Sequence, residues 1–302
     1  MKRLTTISAL FIIILLAGAD ARAQTSNAQR VSDIQAALRE AKLDGWLFYD
    51  FRRSDPLAYR ILRLDDKSLT TRRWFYFVPV VGEPVNEYDI QQFMVRRYEE
   101  EGLTSDNDPP NVSVGPNSAN PHYQPDAKTH SPIRRGDFVL FDVWAKLKKP
   151  GAVYADQTWT GYVGEAVPAE YTRVFRIVRE ARDAATDFVR SSVRDGKVIR
   201  GAQVDDVSRA VIERAGFGEQ FTHRTGHSIG EEVHGNGAHI DNLETRDSRR
   251  ITPRTSFSIE PGIYLEGKFG VRSEINVYVG ERDIEVTGGP VQTEVVAILG
   301  GQ

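Results

Sequence analysis

The chain contains no cysteine. Disulfides and thiolate ligands are therefore excluded, and any metal must be held by oxygen and imidazole. A dominant charge sign is also lacking: 39 Lys+Arg stand against 42 Asp+Glu, for a formal net charge of −3. That leaves no basic field for nucleic acid, which is not expected as a partner. Histidine is scarce, at six residues, and none follows His239. HExxH is missing, so the helix of a zincin is not available. There is no low-complexity segment. The 302 residues are 40% hydrophobic and 27% charged, an ordinary globular balance that allows one large domain or one large and one small.

The N-terminus reads as a leader. Lys2 and Arg3 precede a mostly apolar stretch over residues 7–17, and Ala21-Arg22-Ala23 has the small-residue pattern of a cleavage site. Residues 1–23 are expected to be a secretory signal peptide cut after Ala23, with the mature chain exported to the periplasm. The apolar stretch is short for a membrane span, so no stable span is expected after cleavage. An uncleaved anchor is the weaker reading, and without cysteine bacterial lipid attachment is out.

Apolar periodicity places a helix from Ser32-Asp33 onward, a strand at residues 45–50, a short helix from Pro56 to Leu64 and a strand over 73–81. Asn86 and Asp89 form a capping-box pattern, with Ile90, Phe93, Met94 and Arg97 on one face of the helix that follows. Strands are expected at 112–115, 138–145 and 153–163, the last two joined as a hairpin by the turn 146–151. A long helix over 168–193 carries the stripe Tyr171, Val174, Phe175, Val178, Ala181, Ala185 and Phe188. A second helix over 204–215 ends at Gly216, and strands follow at 256–260, 271–279 and 291–299. Helix followed by strands thus occurs twice, without detectable identity between the halves.

Against this background Asp142, Asp156, His227, Glu260 and Glu274 stand out. They lie in VLFDVW, VYADQTW, RTGHSIGEEVHG, FSIEPGIY and GVRSEINVYV, each in or at the end of an apolar strand. Carboxylates on such strands are costly unless something neutralises them. If the five converge, four carboxylates and a neutral imidazole carry a charge that two divalent cations would cancel. Singly, each has a plainer reading: a strand-end cap, a salt-bridge partner or a core histidine. Gly226 and Gly230 flank His227, and glycine permits close backbone approach. His234 follows in the same glycine-rich stretch. Arg272 sits two residues before Glu274, on the same strand face, and is a candidate to orient an acidic ligand. Gly226-His227-Ser228-Ile229-Gly230 also matches the serine-hydrolase GxSxG elbow, which needs an acid and then a histidine well downstream. No histidine lies far enough downstream, so that reading is remote.

In this order and these contexts the residues resemble the pita-bread metallopeptidases, which include Xaa-Pro aminopeptidases, prolidases and methionine aminopeptidases. NPHY at 120–123 and HSIGEEVHG at 227–235 point to the Xaa-Pro side, and the resemblance covers residues 86–299. It implies an α+β catalytic domain over 86–302 with a curved antiparallel sheet, preceded by a shortened creatinase-like α/β fragment over 31–85. It implies two divalent metal ions, manganese first, with cobalt, zinc or iron as alternatives. Asp142, Asp156 and Glu274 would bind one metal or bridge, while His227 and Glu260 complete the other. A metal-bridging hydroxide would attack the scissile carbonyl, with Glu260 accepting the water proton. His122 and His234 would contact the substrate. The implied activity is hydrolysis of peptides with proline at the second position by an aminopeptidase or prolidase, with a homodimer left open. The leader weighs against methionine removal, which is cytoplasmic. The shortened N-terminal region supports a different class, an inactive or weakly active peptide-binding module. The Asp142–Asp156 spacing is longer than in many relatives, with the turn 146–151 as the added length.

Overall fold

The computed structural model describes residues 27–43, 45–50, 56–62, 74–79 and 85–300. The expected signal peptide lies outside them. The chain divides into two units, Met1–Glu83 and Pro84–Gln302. In the first, helix α1 (Asn27–Ala41), strand β1 (Gly45–Asp50), helix α2 (Pro56–Leu62) and strand β2 (Trp74–Pro79) follow in order, with β1 and β2 antiparallel. Leu38, Phe48, Ala58, Leu62 and Val78 form its core. Helix α1 begins ahead of the expected Ser32. Residues 63–64, 73 and 80–81, included in the expected α2 and β2, lie outside the described residues.

The second unit opens with helix α3 (Glu87–Glu100), and its cap is the capping box expected from the sequence. The Asn86 side chain accepts from the Asp89 backbone N–H at 2.9 Å, while Asp89 accepts from the Asn86 N–H at 3.2 Å. The buried face of α3 is not the expected apolar one. Glu87, Gln91 and Tyr98 are buried, whereas Ile90, Phe93 and Met94 are only partly so. The reason is polar satisfaction. Glu87 accepts hydrogen bonds from the backbone N–H groups of Val114 and Ser131, from the Asn117 amide and from the Tyr123 hydroxyl. A buried carboxylate with that many donors is stable without a cation.

Strands β3 (Leu103–Thr104), β4 (Asn111–Val114), β5 (Phe138–Leu147), β6 (Ala155–Tyr162) and β13 (Val296–Ala297) form one sheet, antiparallel except where β13 joins β6. The hairpin register sets Asp142 opposite Thr158 and Trp144 opposite Asp156. The two aspartates are therefore diagonal neighbours on one face, not direct partners, and Thr158 stands between them. Helices α4 (Ala169–Arg194) and α5 (Gly201–Arg214) follow, with Gly216 at φ +85 just past the end of α5. A second sheet runs in the order β12 (Ile284–Thr287), β11 (Ile275–Val279), β8 (Ser256–Ile259), β7 (Ser228–Ile229), and β9 (Gly262–Leu265) pairs with β10 (Phe269–Arg272).

Helix α4 unites the core. Val174, Phe175, Val178 and Ala181 pack with Phe138, Ile263, Phe269 and Val271, and further along Ala185 and Val189 pack with Phe257, Ile259, Ile275 and Val277. Each buried Val, Ile or Phe among them stabilises the fold by about 1.5–3 kcal/mol relative to exposure, and each Ala by less. Val189 takes the buried place expected for Phe188, which is only partly covered.

Two expected strands differ in the structure. The run 271–279 divides at Ser273–Glu274, because the chain changes partner there: Arg272 closes the ladder with β9, and Ile275 opens one with β8. Between them Glu274 N–H turns to Thr158 O of β6, at 3.4 Å. The run 291–299 keeps only β13 as strand. There the Gln292 side chain takes the place of a ladder, accepting from Thr160 N–H and donating to Thr160 O. Strands β3, β9 and β12 were not expected from sequence. No helix of the described residues is long and apolar enough to cross a membrane.

Candidate metal centre

The site forms where β5, β6, β7, β8 and the β10–β11 junction meet. Alternation along the hairpin puts Asp142, Asp156 and Thr158 on one face. Asp156 is held at the backbone by Asn276 on β11, whose side-chain oxygen accepts the Asp156 N–H at 2.9 Å and whose amide donates to the Asp156 carbonyl. His227 enters just before β7. Gly226 makes this entry possible, because a Cβ there would lie 2.0 Å from the Ser258 carbonyl oxygen. Gly230 shows no such close approach. The Ser258 hydroxyl accepts the His227 N–H at 2.9 Å and donates to Glu260 Oε1 at 2.9 Å, so one side chain sets two site residues. Glu260 follows the last residue of β8, ahead of Pro261. Behind the β10–β11 junction the fully buried Arg182 of α4 donates to the Ser273 hydroxyl at 2.6 Å and to Gln292 O at 2.8 Å, which fixes the residue before Glu274.

All five expected ligands are brought into one network. His227 Nε2 lies 3.4 Å from Asp156 Oδ2 and 3.3 Å from Glu260 Oε1. Thr158 Oγ1 lies 2.8 Å from Glu274 Oε2 and 3.0 Å from Asp142 Oδ1, and accepts from Arg272 Nε at 2.8 Å. Arg272 also donates to Asp142 Oδ2 and comes within 3.9 Å of Glu260 Oε2. It therefore touches the acidic residues themselves. His234 stands with its ring edge-on to His227, centroids 4.3 Å apart. His122 is exposed on the NPHY loop, and its N–H donates to Asn120.

Burial sets the electrostatics. It pushes the Asp142 carboxyl up despite the Arg272 guanidinium beside it. It pushes Asp156 up to about 7, and Glu274, with Asp156, Glu260 and Asp142 as neighbours, well above the carboxylate range. Glu260 goes the other way: burial is more than offset by His227, Arg272, His223 and the Ser258 hydroxyl, which hold it below its ordinary value. His227 is raised, since Asp156 and Glu260 outweigh its burial. Without a cation the cluster thus retains protons that buried like charges require.

The donor set fits divalent cations. Asp156 Oδ1 and Glu274 Oε1 are buried without any hydrogen-bond partner. Such orphaned oxygens cost free energy unless a ligand meets them. Asp156, His227 and Glu274 each offer an atom within 4.8 Å of the others. His227 Nδ1 faces Ser228 O at 3.2 Å, which leaves Nε2 as the ligating nitrogen. All donors are oxygen or imidazole, as the lack of cysteine requires.

Several residues of the site were not read from sequence. Thr158, Ser258 and Asn276 each lie two residues from a candidate ligand, and Thr158 shares the β6 face with Asp156. His223 is buried, its Nε2 2.7 Å from the Tyr264 hydroxyl and its Nδ1 2.7 Å from Arg224 O, and burial lowers it to about 4. Ser228, by contrast, is no nucleophile. Its hydroxyl accepts the Gly237 N–H, and His239 Nδ1 accepts from the Ser228 backbone rather than from the hydroxyl. A groove of about 550 Å3 between α4 and the segment around β13 contains none of the candidate residues.

Comparison with known proteins agrees with this geometry. The profile of metallopeptidase family M24 matches residues 69–281. A probable dipeptidase PepE of Mycobacterium bovis is 34% identical over 170 residues, covering 56% of this chain and 41% of that protein. A putative Xaa-Pro aminopeptidase of Mycoplasma pneumoniae is 30% identical over 233 residues, 75% of this chain and 60% of its own length. Among solved structures, an X-Pro aminopeptidase from Thermotoga maritima superimposes with a TM-score of 0.60 at 30% identity, over 72% of this chain and 57% of that one. A prolidase from Thermococcus sibiricus gives 0.57 at 33% identity, over 69% and 51%. The chain thus spans about half the length of the relatives it matches. With the family match running over residues 69–281 and the candidate residues gathered on this scaffold, the chain belongs to metallopeptidase family M24 and has its α+β pita-bread fold.

Proposed function

We propose that the chain is a dinuclear, divalent-metal-dependent exopeptidase that hydrolyses Xaa-Pro peptide bonds. The observation that carries this reading is the pair of buried, partnerless oxygens on Asp156 and Glu274, two residues that with His227 each offer a ligand atom within 4.8 Å of the others. Asp142, Asp156 and Glu274 would hold one cation or bridge, and His227 and Glu260 would complete the second. When bound, two cations supply an acidified water and a Lewis acid for the scissile carbonyl. Oxygen and imidazole donors suit manganese, cobalt, iron or zinc, and the family resemblance puts manganese first.

The chain's own residues supply the rest. Glu260 is held below the usual carboxylate range, which keeps it in the acceptor form at neutral pH, though as a weak base. His234 is kept neutral, lowered to about 4 by desolvation and by the neighbouring His227 and Arg224 charges. A neutral imidazole can hydrogen-bond a peptide carbonyl or amide without a charge penalty. His122 and the His223–Tyr264 pair offer further polar contacts. Arg272 holds Asp142 in place. A free α-amine is drawn to the acidic cluster, which favours cleavage at a chain end. The leader supports export to the periplasm.

Purified mature chain loaded with Mn(II) and assayed on a panel of Xaa-Pro peptides tests the reading. Cleavage is the expected result. A folded, metal-loaded protein that cleaves none of them would overturn it. A peptide-binding module without activity, the alternative reading, predicts no tightly bound metal in the same preparation.

A further inference from the structure

Outside the cluster, one side chain ties the β5–β6 turn to the loop that carries His234. Lys146, near the end of β5, donates from Nζ to the Glu231 carbonyl at 2.7 Å and pairs with Asp106 Oδ2 at 2.6 Å. The same ammonium stands 4.7 Å from the centroid of the Tyr154 ring. Tyr154 completes the arrangement: its hydroxyl donates to Asp106 at 2.7 Å and its N–H to Gly230 O at 3.0 Å. Beneath this, Trp144, Tyr154 and Ile229 form a small apolar cluster, with Val233 packed against it. The Lys146 side chain is only 16% exposed although it sits at the surface.

The loop needs such support. Residues 230–237 contain no helix or strand, and Glu231, Glu232 and His234 are exposed. Its internal restraints are few: Gly230 N–H to Glu232 O, Gly235 N–H to Ser228 O, and Gly237 N–H to the Ser228 hydroxyl. From outside, Arg249 holds the far end through the Asn236 carbonyl at 3.1 Å, and Lys146 holds the near end through Glu231. Among the described residues no hydrogen bond fixes the His234 ring, whose placement edge-on to His227 therefore depends on where the loop backbone is held. A charged donor on a carbonyl is among the stronger restraints a surface loop can have.

We propose that Lys146 is a positioning residue for His234. By pinning the Glu231 carbonyl to the β5–β6 turn and to Asp106, it sets the distance of the His234 ring from the metal ligands and so the strength of substrate binding on that side. The kinetic consequence rests on the peptidase reading above. The structural consequence does not.

The test uses the full, metal-loaded chain with Lys146→Met, and Asp106→Asn as a second variant with an independent risk to folding. Amide exchange across residues 230–237 should accelerate about tenfold in Lys146→Met, as expected for loss of one charge-assisted hydrogen bond. Exchange in β5, β6 and α4 should stay unchanged. KM for an Xaa-Pro peptide should rise severalfold with a smaller change in kcat, and Lys146→Arg should restore most of it. In a His234→Ala background the same substitution should add little, because the residue it positions is gone. Unchanged loop exchange would overturn the proposal, as would full additivity with His234→Ala. If the wild type cleaves no Xaa-Pro peptide, the functional reading fails, and loop exchange alone decides the role of Lys146.

Discussion

Asp156 is the residue whose chemistry depends most on what is bound. In the metal-free protein burial raises its carboxyl from the ordinary carboxylate range to about 7. A raised folded-state value means that the stability it contributes is present below the unfolded value and is lost as pH rises through about 7. Glu274 and His227 are also raised and act in the same direction, while Glu260 is lowered and acts in the opposite one. Asp156→Asn with chelator should therefore match wild type near pH 4 and exceed it by about 2–4 kcal/mol near pH 8. With Mn(II) the order should reverse, since bound metal stabilises the wild type by mass action. Thermal melts of both proteins across pH, with chelator and with metal, check this. Equal loss in both conditions would mark Asp156 as an ordinary cap. Arg272 gives a complementary case. Arg272→Met leaves Asp142 and Glu260 without their guanidinium, and breaking a buried pair costs about 3–5 kcal/mol. Denaturant melts with chelator at neutral pH should show that loss, and it should shrink in acid as Asp142 takes up a proton. The four carboxylates were legible because each lies in or beside an apolar strand pattern, and His227 because it stands between glycines in a stretch with a second histidine. Thr158 and Ser258 were not, because a hydroxyl on a half-buried strand is unremarkable until its neighbours across the sheet are known.

Elements place these residues, and glycine decides how closely two elements meet. A Cβ at position 226 would meet the Ser258 carbonyl oxygen, a backbone atom that cannot swing aside. Gly226→Ala should force β7 from β8, weaken the His227–Ser258 contacts and cost about 2–3 kcal/mol by overpacking. Metal affinity should fall with it. Gly230→Ala meets nothing within 4 Å and should leave both stability and metal binding nearly unchanged. Isothermal titration with Mn(II) and denaturant melts of the two variants separate the cases. At this scale the sequence was informative wherever a local rule applied: the Asn86 cap, the β5–β6 hairpin and the apolar stripe of α4. It misjudged the buried face of α3, because Glu87 is buried by acceptor bonds to groups 27 to 44 residues away in sequence. It also joined β10 to β11, since a change of strand partner at Ser273–Glu274 leaves no mark on the alternation of apolar residues.

For the whole molecule, the two units differ in what they carry. Every candidate ligand and every residue that orients one lies in Pro84–Gln302, and the two large apolar clusters lie there as well. A fragment of residues 84–302 should therefore fold, bind metal and melt within a few degrees of the full chain. Circular dichroism melts with metal and with chelator test this, and a fragment that aggregates or fails to bind metal would show that Met1–Glu83 completes the second unit. Substrate cleavage by the same fragment would then report whether the first unit contributes to the peptide site.

By itself the sequence determined the chemistry available: no thiolate ligands, four strand-borne carboxylates and an imidazole, a capped helix leading into a hairpin, and a long amphipathic helix to cover it. These follow from residue type and local periodicity, which act within a few positions. The tertiary structure decided which groups meet. The hairpin register set Asp142 diagonal to Asp156 with Thr158 between them, the β10–β11 junction brought Glu274 to the same hydroxyl, and Gly226 let His227 reach Asp156 and Glu260. Convergence across more than a hundred residues is settled by the packing of sheets against α4, and burial then sets the protonation of each group. Neither the shared hydroxyl nor the two partnerless oxygens exist until the sheets are assembled, because each is a relation between strands and not a property of any one of them.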